Sequence, residues 1–270
     1  MKTILRKLKH MAYAATAPRP APNGRERRRL AALPRYTETT TDLPGFPCRI
    51  PDGPSFLASW VEIFDREIYR FLPANRPVRI LDCGANVGVS CLYFLRQYPG
   101  ANITAFEPDP KIFAYLQSNL AAAGGGGIEL IAQAVWSANT TLRFQSEGSD
   151  AGRIDAAPGK NAIEIPAVRL RDFLNEPVDF LKMDIEGAET EVLLDLAPCL
   201  HQVQNIFVEY HSFAGQPQSL GRVIQTLTDA GFRVHVHPMN VAAHPLLETP
   251  SYLGMDMQLN IFARREAPAV

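Results

Sequence analysis

Val78-Arg-Ile-Leu-Asp-Cys-Gly-Ala-Asn-Val-Gly-Val-Ser90 reads as a buried strand that runs into a glycine turn and opens a helix. Val78, Ile80 and Leu81 supply the strand. Gly84 and Gly88 supply a sharp turn and a close approach of backbone to ligand. The helix begins near Val87 and continues through Leu92, Phe94 and Leu95. A dinucleotide fingerprint of this kind opens on glycine, G-x-G-x-x-G, whereas here Asp82 holds the first position. A carboxylate at the strand end repels a pyrophosphate and attracts a ligand that carries an ammonium and a sulfonium.

The next unit strengthens that reading. Asn102-Ile-Thr-Ala-Phe-Glu-Pro108 has the pattern of a second parallel strand ending in Glu107. An acidic residue there accepts both hydroxyls of a ribose and repels a 2′-phosphate. S-adenosylmethionine has the ribose, the ammonium and the sulfonium, and its carboxylate suits the amides of a helix N-terminus.

Beyond these strands the chain alternates strand and helix, the pattern of an α/β, doubly wound and mainly parallel sheet. Helices are expected over Lys111 to Ala123, Glu189 to Leu196 and Leu220 to Ala230. Strands are expected over Ile128 to Val135, Thr140 to Phe144, Ile163 to Val168, Val178 to Asp184, Asn205 to Tyr210, Phe232 to Val236 and Met257 to Ala263, the last inserting antiparallel. Gly124 to Gly127 is a helix stop; it lacks the lysine and hydroxyl residue of a phosphate loop. The polar loop Ser146 to Asn161 is a candidate lid or acceptor-binding segment. Before the core, residues 36–55 read as turns with one short strand. Apolar residues at Trp60, Ile63, Phe64, Ile68, Phe71 and Leu72 predict an amphipathic helix over Ser59 to Leu72. The expected organisation is therefore a basic, flexible extension (1–35), a loop and packing helix (36–77) and a catalytic domain (78–266).

The formal net charge of −1 hides an asymmetry, because residues 1–35 hold ten Lys/Arg and one acid. Arg25, Arg27, Arg28 and Arg29 are the densest basic cluster; a solvated or partly helical tail is its first reading, and contact with an anionic membrane face or an acidic partner subunit the sharper one. The rest of the chain is acidic, and no aromatic residues interleave with the arginines, so nucleic acid is not an expected partner. No apolar run is long enough to span a bilayer. Cys48, Cys83, Cys91 and Cys199 show neither a framework spacing nor a C-x-x-C pair, which suits reduced thiols in a cytoplasmic protein and gives no support to a zinc site.

In such a sheet ligands bind beyond the carboxyl ends of the strands. That edge gathers Asp82, Glu107, residues Gln133 to Ser137, Asp184 with Glu186, and Glu209 with His211. For attack by an alcohol a positioned base is worth about 100- to 10,000-fold. His211 is the first choice for it, since a free imidazole titrates near neutrality. Asp184 is the second, with Glu209 orienting His211 or holding a substrate hydroxyl. His211 also reads as a simple cap of its strand. Asp184, Glu209 and His211 form a set able to hold a divalent cation, although a metal-free site is the favoured reading.

Ile80-Leu-Asp-Cys-Gly-Ala-Asn-Val-Gly88, Ala105-Phe-Glu-Pro108 and Phe180-Leu-Lys-Met-Asp-Ile-Glu-Gly-Ala-Glu189, in that order, resemble the FkbM family of S-adenosylmethionine-dependent methyltransferases. The resemblance spans about Val78 to Arg264 and is most specific in the Lys-Met-Asp-Ile-Glu-Gly-Ala-Glu block. It implies a seven-stranded, Rossmann-like class I methyltransferase sheet and O-methylation of a small-molecule or glycan hydroxyl, commonly on a sugar or polyketide. It also implies that Gly84, Asn86 and Gly88 hold the methionine part, that Glu107 holds the ribose, and that Ala134, Val135 and Trp136 lie near the adenine. Trp136 reads equally as a core aromatic. The competing readings are an N-methyltransferase and a non-catalytic scaffold that keeps the fold.

Overall fold

The computed structural model describes residues 23–73, 76–125, 127–145, 153–154, 162–239, 244, 246–247 and 253–266. Its strands in chain order are β1 (Thr39–Thr41), β2 (Cys48–Ile50), β3 (Arg79–Cys83), β4 (Asn102–Phe106), β5 (Ile128–Ile131), β6 (Ala134–Trp136), β7 (Thr140–Gln145), β8 (Arg153–Ile154), β9 (Ala162–Arg169), β10 (Val178–Met183), β11 (Val203–Phe213), β12 (Arg233–Pro238) and β13 (Met255–Arg264). The α-helices are α1 (Gly24–Ala31), α2 (Gly53–Trp60), α3 (Val89–Gln97), α4 (Pro110–Ala122), α5 (Glu189–Leu196) and α6 (Leu220–Asp229).

Seven strands form the central sheet in the order β12-β13-β11-β10-β3-β4-β5. From β11 to β5 all pairs are parallel, and β13 enters antiparallel between β11 and β12. The seven-stranded, mainly parallel architecture expected from the sequence is the one observed. The order reverses at β3, so the carboxyl ends of β3, β4, β10 and β11 face one crevice, as the switch-point rule requires. β10 is buried along its whole length, as a central parallel strand covered on both faces must be.

Several boundaries differ from the sequence reading. The expected third strand over Ile128 to Val135 is broken. β5 ends at Ile131, whose carbonyl takes the Glu107 amide. Ala134 to Trp136 instead pair with β9 in a separate four-stranded sheet, β6-β9-β7-β8. The expected helix over Ser59 to Leu72 is displaced toward the N-terminus. Asp52 caps α2 by accepting the Ser55 amide, α2 passes into a π-helical turn over Val61–Asp65, and Glu67 at φ 51° stops it. The aromatic residues of the period still pack: Trp60 stacks on Phe64, which meets Tyr93 edge-on.

Residues 24–31, read as part of a flexible extension, form α1. Leu30 is fully buried. Arg27 pairs with Asp65, and Arg29 with Glu26, whose carboxylate also accepts the Thr41 hydroxyl. Two arginines of the basic cluster are thus matched within the chain. Residues 36–55 hold an antiparallel hairpin, β1 with β2, rather than one strand. Residues 1–22 and most of the loop 146–161 lie outside the described residues. Among the described residues no helix is long and apolar enough to cross a membrane.

Candidate active site

The turn after β3 is fixed by the strand beside it. The amides of Gly84 and Ala85 both donate to the Phe106 carbonyl, and the Gly88 amide donates to Ala85. Gly84 sits at φ +83°, and a Cβ there would lie 1.9 Å from the Asp184 carbonyl oxygen. No side chain fits, so glycine is required for the close approach of β3 to the turn after β10. α3 begins two residues later than read, at Val89, because Gly88 occupies the left-handed region at φ 96°. Leu92 is the first residue whose amide reaches back to Gly88. The amides of Val89, Ser90 and Cys91 therefore have no acceptor within the helix, which suits a ligand carboxylate.

Glu107 follows β4 and is buried beside this turn. Its Oε2 accepts the Asn86 amide at 2.9 Å and its Oε1 accepts the Asp109 amide at 2.9 Å. Burial pushes its carboxyl up to about 7, against the two amides, which favour the ionised form. Each oxygen keeps a lone pair, so the carboxylate can still accept a diol. Ala134 and Val135 are buried on β6.

Asp82 is fully buried and does not face the crevice as the sequence reading had it. Its Oδ2 accepts the Ser90 hydroxyl at 2.5 Å, and its Oδ1 lies 3.6 Å from Lys182 Nζ. Lys182, on the neighbouring strand β10, donates to the Gly84 carbonyl at 2.6 Å and lies 3.3 Å from Asp184. Burial opposes its charge, but Asp184 and Asp82 outweigh that and hold its pKa well above the usual value. A buried carboxylate needs such a partner. The ammonium that Asp82 was expected to attract is thus supplied by the protein.

On the other side of Lys182 lies a group of acids. Asp184 and Glu186 follow β10, while Glu209 and His211 lie on β11. His211 Nδ1 is 2.9 Å from Glu189 Oε1, at the start of α5. Its Nε2 lies 3.6 Å from Glu186 and 3.5 Å from Glu209. Glu189 is itself held by the amides of Ile185 and Gly187. Glu186 stands at φ 55°, a position that costs energy for a side-chain-bearing residue and tends to occur where function demands it. Burial and the surrounding carboxylates raise the Glu186 pKa well above its ordinary value, although His211 counteracts them. Burial disfavours a charged imidazole, yet Glu189 and Glu209 raise the His211 pKa well above normal.

A cavity of about 600 Å³ joins these parts. It is lined by the turn from Gly84 to Val87, by Val89 and Ser90, by Lys182, Asp184, Glu186 and Glu209, and by Glu62 and Tyr69 from the segment after α2. The expected residues Gly84, Asn86, Asp184 and Glu209 line it; Asp82, Gly88, Glu107, Ala134, Val135 and His211 lie outside its lining. The sequence reading did not weigh Lys182, Glu189 or Glu62. The first two stand in the Lys-Met-Asp-Ile-Glu-Gly-Ala-Glu block, at alternate positions of a strand and at a helix start. Nothing in the sequence sets Glu62 apart from an ordinary helix-surface acid.

Residues 82–234 match the family described as Methyltransferase FkbM domain. Methyltransferase 1 of Beauveria bassiana is 29% identical over 161 residues, covering 50% of this chain and 65% of that protein, so the chain spans just under two thirds of that relative. Methyltransferase sdnD of Sordaria araneosa is 30% identical over 214 residues, covering 64% of this chain and 80% of that protein. The 2-O-methyltransferase NoeI of Sinorhizobium fredii is 27% identical, covering 54% of this chain and 68% of that protein.

Proposed function

The chain belongs to the FkbM methyltransferase family, and from that premise we propose that it transfers a methyl group from S-adenosylmethionine to a hydroxyl of a small molecule or glycan. The observation that carries this reading is the cavity: one wall is the glycine turn and the first amides of α3, and the other is a set of acids beside a histidine. The residues suit the cofactor. The amides of Val89 to Cys91 would take its carboxylate, Glu107 its ribose, and the buried apolar pair Ala134 and Val135 its adenine.

Held there, S-adenosylmethionine would supply an activated methyl group to the acceptor oxygen and leave as S-adenosylhomocysteine. The chain has to align the acceptor and remove its proton. Alignment accounts for most of the acceleration in such displacements. Glu62, Asp184 and Glu209 project into the cavity as acceptors for the hydroxyls of a polyol. Of the carboxylates that line the cavity, Asp184 and Glu209 are the ones assigned to receive the proton. His211, buried behind them and tied to Glu189, positions Glu209 from 3.5 Å. The name of NoeI supports oxygen as the methylated atom. All four cysteines are unpaired, which suits a reducing cytoplasmic setting.

The test is a radiolabelled methyl-transfer assay across sugars, polyols and hydroxylated polyketides. Product label that resists base, with an O-methyl fragment by mass spectrometry, is expected. Cofactor binding without turnover on any acceptor favours the scaffold reading, and label on nitrogen favours an N-methyltransferase.

A further inference from the structure

We propose that Asp184, Glu186 and the Nε2 of His211 form a binding site for one divalent transition-metal cation, of the Mn²⁺ type, at the acceptor end of the cavity. Ligand atoms from these three residues all lie within 4.8 Å of one another. Bond lengths near 2.1 Å would bring such atoms to about 3 Å apart around an octahedral ion. Small side-chain movements close that difference.

A cluster of acids alone would not carry this. The independent observation is the imidazole. His211 has a fully buried side chain, and its Nε2 has no hydrogen-bond partner among the described residues. It points between Glu186 and Glu209, at 3.6 and 3.5 Å. An unpartnered buried nitrogen is costly. Its orientation is nonetheless fixed from behind, because Nδ1 faces Glu189 at 2.9 Å. With Nδ1–H held by a carboxylate, a cation can displace the proton on Nε2 and take its lone pair, the arrangement found behind metal-bound histidines. Glu189 is anchored in turn by the Gly187 amide at 3.0 Å, so the support has its own support.

Charge points the same way. Asp184, Glu186, Glu189 and Glu209 converge on this edge, and Lys182 reaches only Asp184 among them, at 3.3 Å. A mixed nitrogen and carboxylate set suits Mn²⁺ or a similar first-row ion better than Ca²⁺. Two of the ligands, Asp184 and Glu186, line the cavity, so solvent or an acceptor oxygen can complete the coordination. A cation there would lower the pKa of an acceptor hydroxyl. The binding claim stands on the cluster; only this role in transfer rests on the methyltransferase reading.

The experiment uses the full chain, stripped with a chelator and free of cofactor and acceptor. Mn²⁺ is titrated, and the free-ion electron paramagnetic resonance signal is followed. One Mn²⁺ bound per chain with a dissociation constant below about 100 μM is expected, with at least a tenfold loss of affinity in Glu186→Gln. Spin-echo modulation from an imidazole nitrogen is expected in the wild type, and this reads His211 ligation without any variant having to fold. Glu62→Gln, a cavity acid outside the set, should bind within about threefold of wild type. No binding up to 1 mM, wild-type affinity in Glu186→Gln, or absence of imidazole modulation would each overturn the site. Titration with S-adenosylhomocysteine in the absence of metal tests the methyltransferase reading separately.

Discussion

If Glu107 holds the ribose as proposed, the binding of cofactor is a proton-linked event. The Glu107 carboxyl is raised from 4.5 to about 7 by burial, against the Asn86 and Asp109 amides. The folded protein therefore holds this proton more tightly than the unfolded chain. The resulting stabilisation is fully present below pH 4.5 and is lost as pH rises through about 7. At roughly 1.4 kcal/mol per unit, the shift corresponds to about 3 kcal/mol. A ribose diol donating to this group favours the ionised form, so binding expels the proton. Well below pH 7 the affinity for S-adenosylhomocysteine should then fall toward tenfold per pH unit, or roughly fifteenfold between pH 7 and pH 5.5. Calorimetric titration across pH 5.5–8, in buffers of different ionisation enthalpy, measures both the slope and the released proton. In Glu107→Gln the slope should vanish, and affinity at pH 7.5 should fall about 10- to 100-fold, because charge-assisted hydrogen bonds become neutral ones. A flat wild-type profile, or an unchanged slope in Glu107→Gln, would refute the argument.

Four further outcomes are expected. Gly84→Ala places a Cβ 1.9 Å from the Asp184 carbonyl at a φ of +83°, and should cost about 2–5 kcal/mol by urea unfolding; a loss below about 1 kcal/mol would contradict the close approach. Lys182→Met leaves Asp82 buried without its cation and should destabilise by about 3–5 kcal/mol, largely recovered in the double variant with Asp82→Asn. Leu30→Ala should cost about 2–5 kcal/mol if α1 is integral to the fold, whereas Arg27→Ala, in a partly exposed pair, should cost about 1 kcal/mol or less; thermal unfolding separates them. Glu189→Gln, which weakens the tie to His211, should slow methyl transfer about 10- to 100-fold while leaving S-adenosylhomocysteine affinity unchanged, and a parallel fall in that affinity would assign Glu189 a merely structural part.

The central sheet was legible because parallel strands buried on both faces write themselves as apolar runs, as in Ile206 to Val208. The helices α4, α5 and α6 carried caps and stops within a residue or so of their ends. What misled were places where tertiary contact overrides a local pattern. Ile128 to Val135 reads as one strand, yet the bond from the Glu107 amide to Ile131 ends its pairing there, and β9 captures the remainder. The period over Ser59 to Leu72 is real, but it is read partly from a π-helical turn and an extended segment rather than from one helix. In the site, residue types at strand ends could be assigned to one crevice from topology alone. Which carboxylate faces the cavity and which is sealed behind a lysine could not, because that depends on side chains from adjacent strands meeting.

The meeting of β3 with β10 has a mechanical consequence for how the two ends of the cavity communicate. The Asp184 amide donates to the Cys83 carbonyl, the Gly84 Cα packs on the Asp184 carbonyl, and Lys182 joins the Gly84 carbonyl to the Asp184 carboxylate. The same few atoms thus hold the cofactor turn and the first acid of the acceptor cluster. A shift of either is resisted by the other through these contacts. In-line transfer demands alignment to within about an ångström. Under the proposed transfer, the contact would do for alignment what a closing lid does elsewhere, and Gly84 would be the residue that lets the two ends of the cavity share one piece of backbone.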